Sequence, residues 1–156
     1  MDLIKLSSSQ ISNTISDEKQ INLFITGVGN VGEELLKQIL KQKKPLKAKL
    51  NLCVKIIGIS NSTKMIFNKN GINLELWKSK LNDGVKANEL LFKKTAKKLN
   101  LINSVFVDNT ASVEISNLYN DYLSQSISVV TCNRIACSNK LSNYQNLIKL
   151  SIRHNC

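Results

Sequence analysis

Short apolar stretches alternate along the chain with longer segments whose apolar residues recur every three or four positions. The short stretches are rich in β-branched residues and almost uninterrupted, which is typical of strands buried on both faces of a parallel sheet. We predict strands over residues 21–25, 50–59, 104–107 and 127–130, and helices over residues 31–42, 85–99, from Ser112 onward, and 139–151. This alternation predicts an α/β fold in three layers, with a parallel sheet covered by helices on both faces.

The helical segments also predict where each helix ends and which of its faces is buried. Pro45 cannot continue a helix, so the first helix should end before it. Ser112 can cap the third helix, with Glu114 favourable in the first turn. The inward faces are expected to be Ala87, Leu91, Thr95 and Leu99 (with Leu90 beside them), then Ile115, Leu118, Tyr119, Tyr122 and Leu123, and finally Leu141, Tyr144, Ile148 and Ile152.

Residues 63–84 are the least regular part of the chain, with a turn expected near Gly71. Trp77 lies in this segment among Ile72, Leu74 and Leu76. A single tryptophan among apolar neighbours is expected to pack in the core rather than to serve as a stacking platform for a ligand.

A glycine-rich turn connects the first strand to the first helix and has the pattern G-x-G-x-x-G. The strand–turn–helix context makes this pattern informative. In dinucleotide-binding folds the first glycine allows a tight turn, the second lets the backbone approach a pyrophosphate, and the third allows close helix packing. The helix N-terminus favours the phosphate charge. We therefore predict a Rossmann-type domain whose pyrophosphate-binding residues are Gly27, Val28, Gly29, Asn30, Val31 and Gly32.

Polar clusters follow the other three predicted strands as well, at residues 60–62, 109–112 and 131–134. In an open α/β sheet, ligands bind outside the carboxyl ends of the strands. NAD-preferring folds place an acidic residue after the second strand to hold the ribose hydroxyls, whereas this chain has Ser60, Asn61 and Ser62, followed by Lys64. The lack of a carboxylate there favours NADP, or the use of both NADP and NAD, over strict NAD specificity.

No pattern in the sequence identifies a catalytic or metal-binding residue. The one histidine, His154, lies near the C-terminus, and Asp108 and Asp121 have no evident partner. The cysteines form no C-x-x-C pair, so we expect reduced and mostly buried thiols without a disulfide framework or metal site. They are Cys53, Cys132, Cys137 and Cys156.

The formal net charge of +11 raises the question of a nucleic-acid or membrane partner. Arg134 and Arg153 are the only arginines among 22 basic residues, and aromatic residues make up 5% of the chain. Readers of nucleic acid depend on arginine and on aromatic stacking, so the lysine excess favours a biased base composition over nucleic-acid binding. No apolar run approaches the length of a membrane span, and no secretory signal is evident, so we expect a cytoplasmic protein.

Five segments of the sequence resemble the NAD(P)-binding domain of homoserine dehydrogenase, most closely the form fused to aspartate kinase in bifunctional enzymes. The resemblance extends in order over residues 21–152, after a polar lead-in or linker at residues 1–20. It includes the segment around Trp77, which makes it more specific than a general dinucleotide-binding pattern. The segments are INLFITGVGNVGEELLKQIL, IIGISNS, NGINLELWKSKL, FVDNTAS and VVTCNRIA.

The resemblance implies interconversion of L-homoserine and L-aspartate 4-semialdehyde with NAD(P), in threonine and methionine biosynthesis. It implies that Asn61 and Ser62 lie near the adenosine ribose. It also implies that Thr110, Ala111 and Ser112 extend along the cofactor toward the nicotinamide. Where the family usually has T-P-N-K-K-A, this chain has Cys132 in place of the proline and Arg134 in place of the first, cofactor-contacting lysine. Arginine keeps the charge but not the compact ammonium geometry.

The family continues into a substrate and dimerisation domain, whereas the sequence ends at Cys156. We therefore expect a cofactor-binding domain that is inactive alone, that acts on homoserine only together with that domain, and that forms a homo-oligomer. The alternatives are a stand-alone NADP(H)-binding regulatory module without catalytic activity, and a basic nucleic-acid binder on a similar scaffold.

Overall fold

Six strands form a single sheet in the computed structural model, which describes residues 18–138 and 140–156. They are β1 (Lys19–Thr26), β2 (Leu52–Ser60), β3 (Lys64–Phe67), β4 (Val85–Lys86), β5 (Ser104–Asp108) and β6 (Ser128–Thr131). The sheet order is β4-β3-β2-β1-β5-β6. β2, β1, β5 and β6 run parallel, as predicted, whereas β3 and β4 are antiparallel additions at one edge.

The helices cover both faces of this sheet. They are α1 (Asn30–Leu50), α2 (Trp77–Asn82), α3 (Glu89–Leu99), α4 (Val113–Ser116), α5 (Tyr119–Leu123), α6 (Ile135–Ser138) and α7 (Leu141–Arg153). Among the described residues, no helix is both long enough and apolar enough to cross a membrane.

Consecutive residues of the central strands supply two separate cores because strand side chains alternate between faces. Phe24 and Phe106 pack on one side with Phe92 of α3 and with Tyr119 and Tyr122 of α5. Ile25 and Val107, which follow Phe24 and Phe106 in sequence, belong to the other core, which α1 and α2 cover. The buried residues of this second core are Ile25, Leu36, Ile56, Ile59, Ile72, Trp77, Leu81 and Val107. The predicted three-layer α/β fold is confirmed.

The prediction that α1 ends before Pro45 was wrong. The helix continues through Pro45 to Leu50, and Asn51 ends it in a left-handed conformation with its N–H directed at the carbonyls of Leu46 and Lys47. Tertiary contacts hold the distal half, because Lys47 pairs with Glu18 and the N–H of Lys19 donates to the Asn51 carbonyl. Together with the helix-forming residues that follow Pro45, these contacts accompany the continuation of the helix past the proline.

The irregular segment at residues 63–84 contains β3 and α2, which lacked a periodic signal because both are short. β3 pairs antiparallel with β2, and Met65 on it is 1% exposed. Trp77 opens α2 and packs with Ile72 and Leu81. The prediction that Trp77 is a core residue is confirmed.

The predicted inward face of α3 was partly wrong, because Leu99 packs against the core as predicted but Leu91 does not. The helix begins at Glu89, where the Asn88 side chain accepts a hydrogen bond from the Leu91 N–H. It buries Phe92 and Ala96, while Leu90 and Leu91 are exposed. Phe92 has more apolar area to bury than Leu91, and it contacts the rings of Phe24, Phe67 and Phe106.

The predicted inward face of α7 was also wrong. Leu141, Tyr144, Ile148 and Ile152 are all exposed, with values from 42% to 75%. Leu147 instead packs against the core. The helix carries apolar residues on two faces, and periodicity alone does not show which of them packs against the core.

Candidate functional site

The carboxyl ends of the four parallel strands lie side by side in one row. In the sheet register, Thr26 of β1 is paired with Ser60 of β2 and with Asp108 of β5, and Asp108 is paired with Thr131 of β6. The four polar clusters predicted to follow these strands therefore meet at one edge of the sheet. In an open α/β sheet this edge is where ligands bind.

The glycine loop forms a tight cradle at the centre of this row. Gly27 has a φ of +83°, and a Cβ on it would lie 2.7 Å from Cγ2 of Thr110. A Cβ on Gly32 would lie 2.2 Å from the carbonyl oxygen of Gly27. A Cβ on Gly29, in contrast, would meet no heavy atom of the described residues within 4 Å. Gly27 and Gly32 are therefore needed by the fold, whereas Gly29 keeps the space above the loop open.

Helix α1 starts directly at this open space. Gly29 is its N-cap and supplies no side-chain hydrogen bond, and Asn30 and Val31 are exposed. The first N–H groups of a helix have no partner within the helix, so they can bind an anion. Glu33 in the same turn bonds to Lys78 at 2.7 Å and Lys37 at 3.1 Å. These hydrogen bonds lower the pKa of the Glu33 carboxyl below its usual value.

The loop after β2 is organised by Asn61. Its Oδ1 accepts hydrogen bonds from the backbone N–H groups of Thr63 at 2.9 Å and Lys64 at 2.7 Å. Ser62 is exposed beside it. The Lys64 ammonium donates to the carbonyl of Gly84 at 2.9 Å, so it is directed toward β4. The loop exposes amide and hydroxyl groups, and its sequence contains no carboxylate.

The loop after β5 contains Thr110, Ala111 and Ser112. The Thr110 hydroxyl accepts a hydrogen bond from the Ser112 N–H at 3.1 Å. Ser112 Oγ in turn accepts from the Ile115 N–H at 3.2 Å, so its predicted role as a helix cap is confirmed. Ala111 is exposed. The predicted single helix after Ser112 is instead divided into α4 and α5.

The loop after β6 contains Arg134, which is exposed at the start of α6. Asn133, directly before it, is 3% exposed and is anchored by its side chain. The Asn133 Nδ2 donates to Asp108 Oδ2 at 3.1 Å and to the Ser112 carbonyl at 2.8 Å. Each residue predicted to bind the cofactor therefore lies in one of the four loops that follow the row of strand ends or in the first turn of α1.

The structure shows partners for Asp108 and Asp121, for which the sequence made none evident. Asp121 pairs with Lys93. Asp108 is fully buried and accepts hydrogen bonds from the Tyr119 hydroxyl at 2.5 Å and the Thr110 N–H at 2.7 Å, besides the Asn133 amide. Burial, and next the hydrogen bond to Asp108, raise the pKa of Tyr119 above its ordinary value. A buried tyrosine normally needs a hydrogen-bond partner. The presence of Tyr119 on the predicted apolar face of a helix was therefore the sequence signal for a buried acceptor such as Asp108.

The cysteines are free, but the expectation that they are mostly buried was wrong. Cys132 and Cys137 are exposed, and Cys53 and Cys156 are half-buried. Cys132 Sγ lies 3.7 Å from Asn109 Oδ1, beside the glycine loop. No group of three metal-ligating side chains is present among the described residues.

Comparison with known proteins identifies relatives of this chain. It is 35% identical over 133 residues to the bifunctional aspartokinase/homoserine dehydrogenase of Haemophilus influenzae, a match that covers 85% of this chain and 16% of the relative. It is 33% identical to the homoserine dehydrogenase of Schizosaccharomyces pombe, covering 84% of this chain and 35% of that one. The chain thus spans a minor part of the length of these relatives.

Solved structures share the fold. A hyperthermophilic archaeal homoserine dehydrogenase mutant in complex with NADPH superposes with a TM-score of 0.66 at 24% identity, over 87% of this chain and 42% of the other. The homoserine dehydrogenase of Thermoplasma acidophilum gives a TM-score of 0.67 at 20% identity, over 88% and 41%. The family model for the homoserine dehydrogenase NAD-binding domain matches residues 27–156. The chain belongs to the family of homoserine dehydrogenase NAD-binding domains.

Proposed function

We propose that this chain is the cofactor-binding part of a homoserine dehydrogenase and binds NADP(H) across the row of strand ends. The observation that carries the proposal is the difference between the three glycines of the loop. Gly27 and Gly32 are enclosed by neighbouring atoms, whereas the space above Gly29 is open. That is the arrangement a backbone needs if a pyrophosphate is to approach it at Gly29.

The pyrophosphate-binding residues in this proposal are those of the loop and the first turn of α1. Asn61 and Ser62 are assigned to the adenosine ribose, because they follow β2. Thr110, Ala111, Ser112 and Arg134 are assigned to the nicotinamide side, because they follow β5 and β6. Loss of the usual acidic residue after β2 supports NADP, or both cofactors, over NAD alone.

The reaction of the complete enzyme would be oxidation of L-homoserine to L-aspartate 4-semialdehyde, or its reverse, with transfer of a hydride to or from the cofactor. Hydride transfer requires both reactants in one geometry. The chain covers 16% of the bifunctional relative from Haemophilus influenzae, and we assign to it only the binding of the cofactor.

Formation of a homo-oligomer stays a prediction. Sedimentation velocity at several protein concentrations tests it.

Titration of NADPH fluorescence tests the assignment of the glycine loop. The Gly29→Val variant places a side chain in the open space, where it would meet the ligand rather than the protein. Gly29 has a φ of −74°, so a side chain there does not require the left-handed conformation that favours glycine. We expect an affinity for NADPH reduced by about tenfold or more, with unchanged circular dichroism.

The matched control is Ser142→Val, which adds a similar side chain at an exposed position of α7. It should bind NADPH like the wild type. Equal titration by Gly29→Val and Ser142→Val, or no binding by the wild type, would refute the assignment. The stand-alone regulatory module is not favoured, because the family match extends over residues 27–156.

A further inference from the structure

A buried hydrogen-bond network connects the ends of β5 and β6. Its centre is Asp108, whose side chain is 0% exposed. The carboxylate accepts from the Tyr119 hydroxyl at 2.5 Å, the Asn133 amide at 3.1 Å and the Thr110 N–H at 2.7 Å. Among the described residues, Asp108 forms no salt bridge. Three neutral donors therefore hold a buried carboxylate, an arrangement that is costly if any donor is lost.

The network connects the loops after β5 and β6, which were assigned to the nicotinamide side. Asn133 donates to the Ser112 carbonyl at 2.8 Å, and its Oδ1 accepts from the Ile135 N–H at 3.1 Å. The Cys132 N–H donates to the Asp108 carbonyl at 2.9 Å. Thr110 and Ser112 on one side and Arg134 on the other are thus positioned by bonds that converge on Asp108.

Tyr119 reaches this network from behind the loops. Its ring is 2% exposed and lies in the core, 6.4 Å from the ring of Phe106. Its hydroxyl lies 2.5 Å from Asp108 Oδ2 and 2.7 Å from Thr131 Oγ1, so it joins the ends of β5 and β6. Tyr119 is buried under the loops and does not face the crevice.

We infer that Tyr119 is a positioning residue for the nicotinamide half of the crevice, acting through Asp108 and Asn133 on the loops that hold Thr110, Ser112 and Arg134. This inference rests on the proposed function. A dinucleotide lies across the sheet, with its two halves on the two sides of the central crevice. The network belongs to one side only, so its loss should weaken contacts to the nicotinamide half and leave those to the adenosine half unchanged.

The test compares two ligands in the full chain: NADPH, which occupies both halves, and 2′,5′-ADP, which occupies the adenosine half alone. For Tyr119→Phe we expect the NADPH dissociation constant to rise about fivefold to tenfold. The dissociation constant for 2′,5′-ADP, measured by calorimetry, should stay within about twofold. A purely structural role would weaken both ligands together or neither.

Tyr122→Phe is the matched control. Tyr122 is 1% exposed in the same core and stacks on Phe106 at 3.9 Å, but it makes none of the network's hydrogen bonds. Its variant should bind both ligands like the wild type. If Tyr119→Phe does not fold, Thr131→Val removes the neighbouring hydroxyl of the network, and we expect the same separation between the two ligands.

The outcomes separate the two proposals. A wild type that binds neither NADPH nor 2′,5′-ADP counts against the proposed function itself. A wild type that binds both, combined with a folded Tyr119→Phe variant whose two affinities are unchanged or equally weakened, overturns the positioning role and leaves the cofactor assignment standing.

Discussion

Asn61 combines an observed role in the loop after β2 with its proposed position beside the adenosine ribose. Its Oδ1 accepts the N–H groups of Thr63 and Lys64, and this turn shapes the loop after β2. NAD-preferring folds place an acidic residue after the second strand, in the region where Asn61 lies here. An aspartate here would keep the oxygen that the turn requires and would add one negative charge beside the proposed 2′-phosphate.

We therefore expect Asn61→Asp to lower the preference for NADPH over NADH about tenfold, because the new carboxylate repels the 2′-phosphate. The measurement is the ratio of the two dissociation constants by fluorescence titration. Asn68→Asp is the control, since Asn68 Oδ1 accepts the Asn70 N–H at 3.0 Å in a similar turn outside the crevice. Equal ratios of the two dissociation constants in Asn61→Asp and Asn68→Asp would contradict the assignment of Asn61 to the ribose subsite.

At the scale of elements, α1 shows that a single proline does not by itself end a helix. Pro45 predicts an end, yet the residues that follow it are good helix formers and the helix reaches Leu50. Its C-terminal end contacts the start of β1 through the backbone of Lys19 and the preceding residue, Glu18. These partners are distant in sequence, which is why a local rule missed them.

Pro45→Ala should stabilise the protein by about 2 kcal/mol. Removing a proline from inside a helix stabilises the folded state by about 3 kcal/mol. The unfolded chain is more flexible with alanine than with proline, and this reduces the gain by up to about 1 kcal/mol. Urea unfolding measures the difference. The neighbouring variant Lys44→Ala should change the free energy of unfolding by less than about 0.5 kcal/mol. If the two variants were equally stable, α1 would not be continuous through residue 45.

For the whole molecule, the row of strand ends provides the proposed cofactor site, and the proposed reaction also requires a site for the substrate. The chain covers 16% of one bifunctional relative and 35% of a homoserine dehydrogenase. Its described residues provide a cofactor cradle but no residue that the geometry singles out as a proton donor or acceptor beside a substrate. Binding and turnover should therefore be separable.

We expect the purified chain to bind NADPH but to form none from homoserine and NADP⁺, because hydride transfer needs a positioned substrate. A chimera in which the chain replaces the matched segment of the Haemophilus influenzae relative should show homoserine-dependent absorbance at 340 nm. The same chimera with Gly29→Val serves as its control and should be much slower. Turnover by the chain alone would contradict this division of roles.

The sequence by itself determined the α/β class, the four parallel strands and the convergence of polar clusters at one edge, because these follow from apolar runs and alternation. The glycine loop could also be predicted, since the spacing of its three glycines lies within a short stretch of sequence. Only the tertiary structure decided the length of α1, the buried faces of α3 and α7, and the partners of Asp108. Each of these depends on contacts between residues far apart in the chain, such as Asp108 with Asn133, and local periodicity carries no information about them.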